Sequence, residues 1–173
     1  VAISTARAGN VIGGGDFAND RIIPDCVRAI ESGSSISVRN PYSTRPYRHV
    51  LEPLFAYLMM GHKEYEGGQY AGWYNVGPDE CDCVTTGGLV NLFCRKGGNS
   101  LSWENQAAKN APHEANFLKL DCSKIKSIFD WKPRWHIEDA IGMTVAWTKV
   151  WLKHGDIPAE MNRQIRIYVE DKQ

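Results

Sequence analysis

The 173-residue sequence has no excess charge of either sign and no long hydrophobic run. Lysine and arginine together number 20, and aspartate and glutamate together also number 20. This balance leaves no basic field that would attract nucleic acid or an anionic membrane surface. A membrane-spanning helix needs about 20 consecutive apolar residues, and the sequence has no such run. We therefore expect neither a nucleic acid nor a membrane among the partners.

The sequence also lacks an Asn-x-Ser/Thr glycosylation site, and its five cysteines are an odd number. Cys26 and Cys94 lie in otherwise apolar stretches, as buried free thiols do. Secreted domains of this size usually carry paired, disulfide-forming cysteines. The sequence therefore indicates a reduced, cytoplasmic setting.

The apolar content is ordinary, at 43%, and the six tryptophans can support a packed core. The first seven residues, VAISTAR, have the pattern of an interior strand, with no initiator methionine and no polar lead-in. A domain seldom begins within a strand. We therefore expect a fragment, in which residues 1–12 supply the last strand or strands of a sheet.

Short strands and helices alternate along the chain, which predicts an α/β or α+β fold. The opening strand is expected to end at the glycines 13–15, and Asn19 or Asp20 to cap the first helix, which Gly33 closes. The segment 99–111 is predicted to be irregular, and nothing is assigned after Gly155. The remaining predicted strands are 36–38, 48–51, 73–77 and 118–120, and the remaining predicted helices are 53–66, 86–97, one beginning after Asp121, and 137–153.

Two patterns imitate ligand sites. Gly13, Gly15 and Ala18 satisfy the G-x-G-x-x-A spacing of a dinucleotide fingerprint. That fingerprint needs a turn running directly into a helix, and an acidic residue about 20 positions later at the end of a second strand. Neither is predicted here, so we interpret the glycines as a plain turn. Cys81 and Cys83 have no second pair at zinc-site spacing, and no metal is expected.

A third candidate is the acid/base pair formed by His113 and Glu114. A histidine beside a glutamate in a polar loop is more often a surface contact, so we expect no catalytic role for the pair.

Arg39, Arg45 and Arg48 lie within ten residues of one another. Arginine suits forked recognition of phosphate, and ligands of open α/β sheets bind where strands end, as at Arg7 and Asn10. A solvated charge cluster is the alternative. Because Pro46 and aromatic neighbours alternate with the arginines, we favour a diphosphate-binding site.

The residues carry a family resemblance that covers almost the whole chain. The segments 7–16 (RAGNVIGGGD) and 20–25 (DRIIPD) resemble extended short-chain dehydrogenases acting on nucleotide sugars. Five further segments narrow the resemblance to the CDP-glucose 4,6-dehydratases: 38–41 (VRNP), 44–54 (TRPYRHVLEPL), 74–78 (YNVGP), 112–124 and 131–135 (WKPRW).

The resemblance implies an NAD-binding Rossmann domain followed by a smaller mixed α/β domain that binds the nucleotide sugar. This chain would be the second of these, with the N-terminal NAD-binding half absent. The implied reaction converts CDP-glucose into CDP-4-keto-6-deoxy-glucose and water by internal redox through NAD, for deoxysugars of bacterial surface polysaccharide. Family members are usually homodimers.

The resemblance also implies roles for residues. The catalytic Tyr-x-x-x-Lys and its partners would precede Val1, so no catalytic residue is expected in this chain, which alone should be inactive. The backbone of Ala8 and Gly9 would lie beside the nicotinamide. The implied substrate-binding residues are Asn10, Arg21, Ile22, Arg39, Arg45, His113 and Glu114. Arg48 departs from the pattern, since relatives often carry glutamine there, and its role is open.

Two alternatives remain at this point. Another nucleotide-sugar dehydratase or epimerase would use the same fold with a different substrate. A non-catalytic nucleotide-sugar-binding module would need to fold without the preceding strands.

Overall fold

The computed structural model describes residues 1–98, 101–107 and 117–171. His113 and Glu114 lie outside the described residues. The helices in this part of the chain are α1 (Ile22–Ser32), α2 (Leu51–Glu66), α3 (Thr86–Gly97), α4 (Ser123–Phe129), α5 (Ile137–Leu152) and α6 (Ile157–Glu170). None of these helices combines the length and the apolar character that a membrane span requires.

The strands form four two-stranded pairs rather than one continuous sheet. They are β1 (Thr5–Ala8), β2 (Asn10–Ile12), β3 (Ile36–Val38), β4 (Thr44–Arg45), β5 (Tyr47–His49), β6 (Trp73–Val76), β7 (Val84–Thr85) and β8 (Trp103–Asn105). Three pairs are parallel, β1 with β6, β2 with β5 and β3 with β8, and β4 with β7 is antiparallel. Parallel strands joined through helices are the mark of α/β construction.

The opening segment forms two strands where the sequence predicted one. Its first part pairs with β6 and its second part pairs with β5. The change occurs at Gly9, whose N–H donates to the Val76 carbonyl at 3.2 Å, while the Asn10 N–H donates to the Pro46 carbonyl at 2.9 Å. A Cβ on Gly9 would lie 2.5 Å from that Pro46 oxygen, so only glycine allows this approach.

Two hydrophobic clusters hold the elements together. The first lies among α1, α3, α5 and the short strands, with Cys26, Leu89, Phe93 and Ile141 fully buried. In the second cluster, α2 and α4 pack on β6, and the buried residues include Tyr74, Ile125 and Trp131. Gly9, where the chain passes from the β1–β6 pair to the β2–β5 pair, therefore connects the two hydrophobic clusters.

The start of α1 differs from the expected cap. The N-cap is Arg21, without a side-chain cap, and Gly33 closes the helix in the left-handed conformation as predicted. Asp20 instead has a φ of 60° and pairs with Arg39. Neither Asn19 nor Asp20 therefore caps α1, and the Asp20 carboxylate is engaged with Arg39 instead.

Two other predictions were wrong, and the tail, to which nothing was assigned, forms a helix. The segment 99–111 contains β8, which pairs with β3, and Leu118–Leu120 forms no strand. The tail after Gly155 forms α6, which packs on α5 and buries Gln164 and Tyr168. Its signals were present in the sequence, since Asp156 caps it by accepting from Ala159 N at 2.9 Å and a proline occupies its first turn.

The glycine segment 13–15 is a packing device. A Cβ on Gly14 would lie 2.0 Å from Cδ2 of Trp147, so the backbone rests directly on the indole ring of α5. We expect Gly14→Ala to lower the free energy of unfolding by about 1–3 kcal/mol through overpacking. Urea unfolding followed by tryptophan fluorescence measures this change.

Gly142→Ala is the matched control, because nothing lies within 4 Å of a Cβ at that position of α5. Alanine in a helix interior should raise the free energy of unfolding by about 0.5–1 kcal/mol relative to glycine. Equal stability of Gly14→Ala and the unmodified chain would contradict the packing role.

Candidate functional site

A cleft of about 840 Å³ opens between the β2–β5 pair, α1 and the loop that joins β3 to β4. Six residues predicted from the sequence line it: Gly9, Asn10, Arg21, Ile22, Arg39 and Arg45. They come from four separate segments of the chain, and the fold brings them together. Ala8 precedes Gly9 in β1 and is not part of the lining.

The strand and helix ends aim these residues at one space. Asn10 begins β2, and Arg21 is the N-cap of α1, whose first residue is Ile22. Arg39 follows β3 directly, and Arg45 ends β4. The carboxyl ends of strands and the start of a helix form the usual ligand edge of an α/β fold.

A buried hydroxyl network fixes the wall that carries Arg45. Thr86 Oγ1 lies 3.1 Å from both Ser43 Oγ and Tyr47 Oη. The Thr86 N–H also donates to the Ser43 carbonyl at 2.9 Å. These bonds tie the loop before β4 to the first turn of α3. All three residues line the cleft, and the sequence analysis did not include them.

Two arginines that line the cleft already lie beside carboxylates. Arg39 Nη2 lies 2.8 Å from Asp20 Oδ1, and Arg21 Nη1 lies 3.5 Å from Asp16 Oδ2. Both pairs are largely exposed, and exposed ion pairs contribute only about 0–1 kcal/mol. An incoming polyanion could therefore replace these carboxylates at low cost. Arg45 is half-buried and donates to the Thr44 carbonyl at 3.2 Å.

Arg48 does not belong to this cluster, which corrects the grouping of three arginines. Its guanidinium is buried and lies 5.1 Å over the ring of Trp131, in the second hydrophobic cluster. Burial lowers the pKa of Arg48, and the charge of Glu52 opposes that shift. In β5, Tyr47 lines the cleft while Arg48 contacts Trp131, because side chains alternate along a strand.

Beside Arg48, Glu52 organises the backbone of the WKPRW segment. Its buried Oε1 accepts hydrogen bonds from Arg134 N at 2.9 Å and Trp135 N at 2.7 Å. Burial raises the pKa of Glu52, and these two N–H groups act in the opposite direction. The buried carboxylate thus joins the start of α2 to the loop before α5.

The cysteines do not form a Cys–Cys metal site. Cys83 Sγ faces the Asp79 carbonyl at 3.7 Å, whereas Cys81 lies beside Asp82 and His136.

The glycine segment also forms no dinucleotide turn, since α1 begins only at Ile22, four residues after Ala18. Directly after the glycines, Asp16 Oδ1 accepts a hydrogen bond from the Ala18 N–H at 3.0 Å.

One Tyr-x-x-x-Lys spacing occurs within the chain, at Tyr168 and Lys172. Tyr168 lies on α6, 2% exposed, with its ring centroid 5.0 Å from that of Trp135. Burial raises the pKa of Tyr168. A tyrosine acting as a base needs its pKa lowered and access to substrate, so Tyr168 is a core residue. Lys172 lies outside the described residues.

A CDP-glucose 4,6-dehydratase of Salmonella typhimurium is 41% identical to this chain over 170 residues, which is 98% of the chain and 47% of that protein. The predicted resemblance to the CDP-glucose 4,6-dehydratases is confirmed. The chain spans about half the length of this curated relative. No family model matches the chain.

Solved structures share the fold at lower identity. A UDP-glucose 4-epimerase of Stenotrophomonas maltophila, with bound NAD and formylated UDP-arabinopyranose, matches with a TM-score of 0.74 and 15% identity, over 90% of this chain and 50% of that one. A dTDP-glucose 4,6-dehydratase of Bacillus anthracis in complex with NAD gives a TM-score of 0.66 and 20% identity, over 84% and 44%. The predicted α/β fold class is confirmed by these structures.

His49 adds a pH dependence to the segment behind the cleft. Burial lowers its pKa from 6.5 to about 4, and its Nδ1 accepts from Leu51 N at 3.3 Å. The unfolded chain then binds a proton more readily than the folded chain does. The free energy of unfolding that neutral His49 contributes is therefore full above pH 6.5 and is lost as the pH falls toward 4. We expect a loss of about 2 kcal/mol between pH 7 and pH 5 from this residue.

The measurement compares urea unfolding at the two pH values for the unmodified chain and His49→Asn, which retains an acceptor. The variant should lose about 2 kcal/mol less on acidification. His62→Asn, at an exposed position of α2, is the control and should change the difference little. The same acid sensitivity in His49→Asn and the unmodified chain would refute the assignment.

Proposed function

We propose that this chain supplies the nucleotide-sugar-binding part of a CDP-glucose 4,6-dehydratase. The reaction converts CDP-D-glucose into CDP-4-keto-6-deoxy-D-glucose and water. The observation that carries the proposal is the 41% identity to the Salmonella enzyme along almost the whole chain. The cationic cleft supports it, because its lining includes six of the residues that the family resemblance implied.

The cleft offers the contacts that a nucleoside diphosphate needs. In the proposal, Arg45 grips the diphosphate with a forked guanidinium, and Asn10 contacts the sugar diphosphate. Arg39 reads the base or ribose, while Arg21 and Ile22 pack on the nucleotide. His113 and Glu114, which lie outside the described residues, are proposed as further contacts to it. Arg39 and Arg21 leave the carboxylates of Asp20 and Asp16 to make these contacts.

NAD belongs to the same proposal. Ala8 ends β1 at the ligand edge of the fold, and Gly9, which follows it, lines the cleft without a side chain. Their backbone would lie beside the nicotinamide, so these residues fit the cofactor. When bound, NAD would supply the hydride acceptor and donor of this internal redox reaction. This chain's residues hold and orient the sugar nucleotide for that reaction, and the acid/base residues are assigned to the preceding half.

An exposed apolar surface supports a docked NAD-binding half. Ile3 is exposed before β1, and Leu54 and Leu58 are exposed on the neighbouring α2. β1 also pairs only with β6 among the described strands, which leaves one strand edge open. We propose that the remaining Rossmann strands continue the sheet at this edge, and that the complete enzyme is a homodimer.

The complete gene product tests the proposed reaction. With CDP-glucose it should form a 4-keto product without net consumption of NAD, while this chain alone should neither retain NAD nor turn over. Binding of CDP-glucose with no 4-keto product would exclude a dehydratase. Competition among CDP-, UDP-, GDP- and dTDP-glucose distinguishes the nucleotide, and tighter binding of any nucleotide other than CDP would reject the CDP assignment.

A thermal melt distinguishes a free-standing binding module. Such a module would unfold cooperatively as this isolated chain and bind CDP-glucose by itself. A broad, uncooperative melt, monitored by circular dichroism, fits a chain whose β1 edge and α2 face need the preceding half. In that case the unfolding measurements on the Gly14 and His49 variants are made with the complete gene product, because a free energy of unfolding requires a cooperative transition.

Arg45 gives the sharpest test of the cleft. Arg45→Ala in the complete enzyme should weaken CDP-glucose binding by about 1.5–3 kcal/mol, or roughly ten- to hundredfold, because a charge-assisted contact to the diphosphate is lost. Isothermal titration calorimetry measures it. The control is Arg95→Ala, which removes an equal charge at an exposed position of α3, where Arg95 pairs with Glu138 at 2.8 Å. It should leave the affinity for CDP-glucose unchanged. Equal affinities of both variants would show that Arg45 does not contact the ligand.

A further inference from the structure

A cluster of three potential metal ligands lies outside the lining of the cleft. It consists of Cys81 and Asp82, in the 3-10 turn Glu80–Asp82, and His136 at the start of α5. One ligand atom from each residue lies within 4.8 Å of the other two. Cys81 and His136 are exposed, whereas Asp82 is buried. The fold thus brings a thiol, a carboxylate and an imidazole together at an accessible surface.

The distances are close to those of a zinc site. His136 Nδ1 lies 2.8 Å from Asp82 Oδ2, and Cys81 Sγ lies 3.8 Å from the same oxygen. Around tetrahedral zinc, neighbouring sulfur, nitrogen and oxygen ligands are roughly 3.3–3.6 Å apart, given the usual zinc–ligand distances. Shifts of less than about an ångström at these two separations would therefore place a zinc ion within reach of both partners of Asp82.

The carboxylate at the centre is held in place. Asp82 Oδ1 accepts from the Ile137 N–H at 3.0 Å, so its second oxygen is directed toward His136 and Cys81. A hydrogen bond to one oxygen orients the other for coordination, as outer partners do in metal sites.

We propose that Cys81, Asp82 and His136 bind a zinc ion, with water at the fourth position. Thiolate, imidazole and carboxylate together form a donor set that suits zinc. Binding releases the thiol proton of Cys81 to solvent, and the metal replaces the proton on His136 Nδ1, so that the neutral ring carries its one proton on Nε2. Among the described residues, no fourth His, Cys, Asp or Glu joins the group, which leaves an open coordination position.

The site would link two distant segments beside the cleft wall. Asp82 and His136 are 54 residues apart in sequence. The 3-10 turn leads directly to β7, which pairs with β4, where Arg45 is located. A bound zinc would therefore anchor the partner strand of the Arg45 wall to α5, and would stabilise the folded state because it binds that state preferentially.

The experiment uses cobalt(II) as a spectroscopic probe and zinc as its competitor, with the complete gene product carrying no histidine tag. Cobalt should give visible d–d bands and a near-ultraviolet thiolate-to-cobalt charge-transfer band at one metal per chain, and zinc should bleach both. Zinc should also raise the Tm. Cys81→Ser should abolish the charge-transfer band and weaken zinc binding by at least the roughly 10–100-fold seen for outer partners.

Cys83→Ser is the matched control, because its thiol is one residue beyond Asp82 and faces the Asp79 carbonyl. It should retain the band, the affinity and the Tm shift. The proposal is overturned if the unmodified protein shows no charge-transfer band, or if the band survives in Cys81→Ser. Both changed residues are at least partly exposed, so both variants should fold, which circular dichroism verifies.

Discussion

The close approach of Gly9 to Pro46 is the constraint on which the arrangement of this molecule depends. At that point the chain leaves the β1–β6 pair and joins β5, with hydrogen bonds to Val76 on one side and Pro46 on the other. A Cβ at Gly9 would collide with the Pro46 carbonyl oxygen. Without this approach, β2 could not lie beside β5, and Asn10 would not reach the edge where the cleft opens.

Beyond that junction, polar contacts inside the protein fix the segments that form the cleft and surround it. The hydroxyl groups of Ser43, Tyr47 and Thr86 fix the wall that carries Arg45. Glu52 fixes the loop before α5 through two backbone N–H groups. Buried hydrogen bonds of this kind orient backbone segments that have little regular structure of their own. The exposed arginine–aspartate pairs have the opposite character, since their low net energy leaves them exchangeable.

The family resemblance and the fold class were predictable from the sequence, as were most helices, because they depend on motifs and on local patterns. Two of the failures have a physical origin in contacts between elements. The strand β8 is short and polar and exists through its pairing with β3, which no local pattern reports. Arg48 alternates with Tyr47 on β5 and so contacts Trp131 rather than the cleft. The helix α6 was missed although Asp156 and its first-turn proline gave a local signal.

The sequence by itself determined the type of fold, the positions of α1, α3 and α5, and the set of residues that were candidates for ligand binding. It did so because periodicity, caps and turns are local properties. Only the tertiary structure decided which arginines share a cleft, that the glycines 13–15 serve packing against Trp147, and that Cys81 and Asp82 lie beside His136. These outcomes depend on contacts between residues far apart in the chain, whose distances follow from the packing of whole elements and not from sequence spacing.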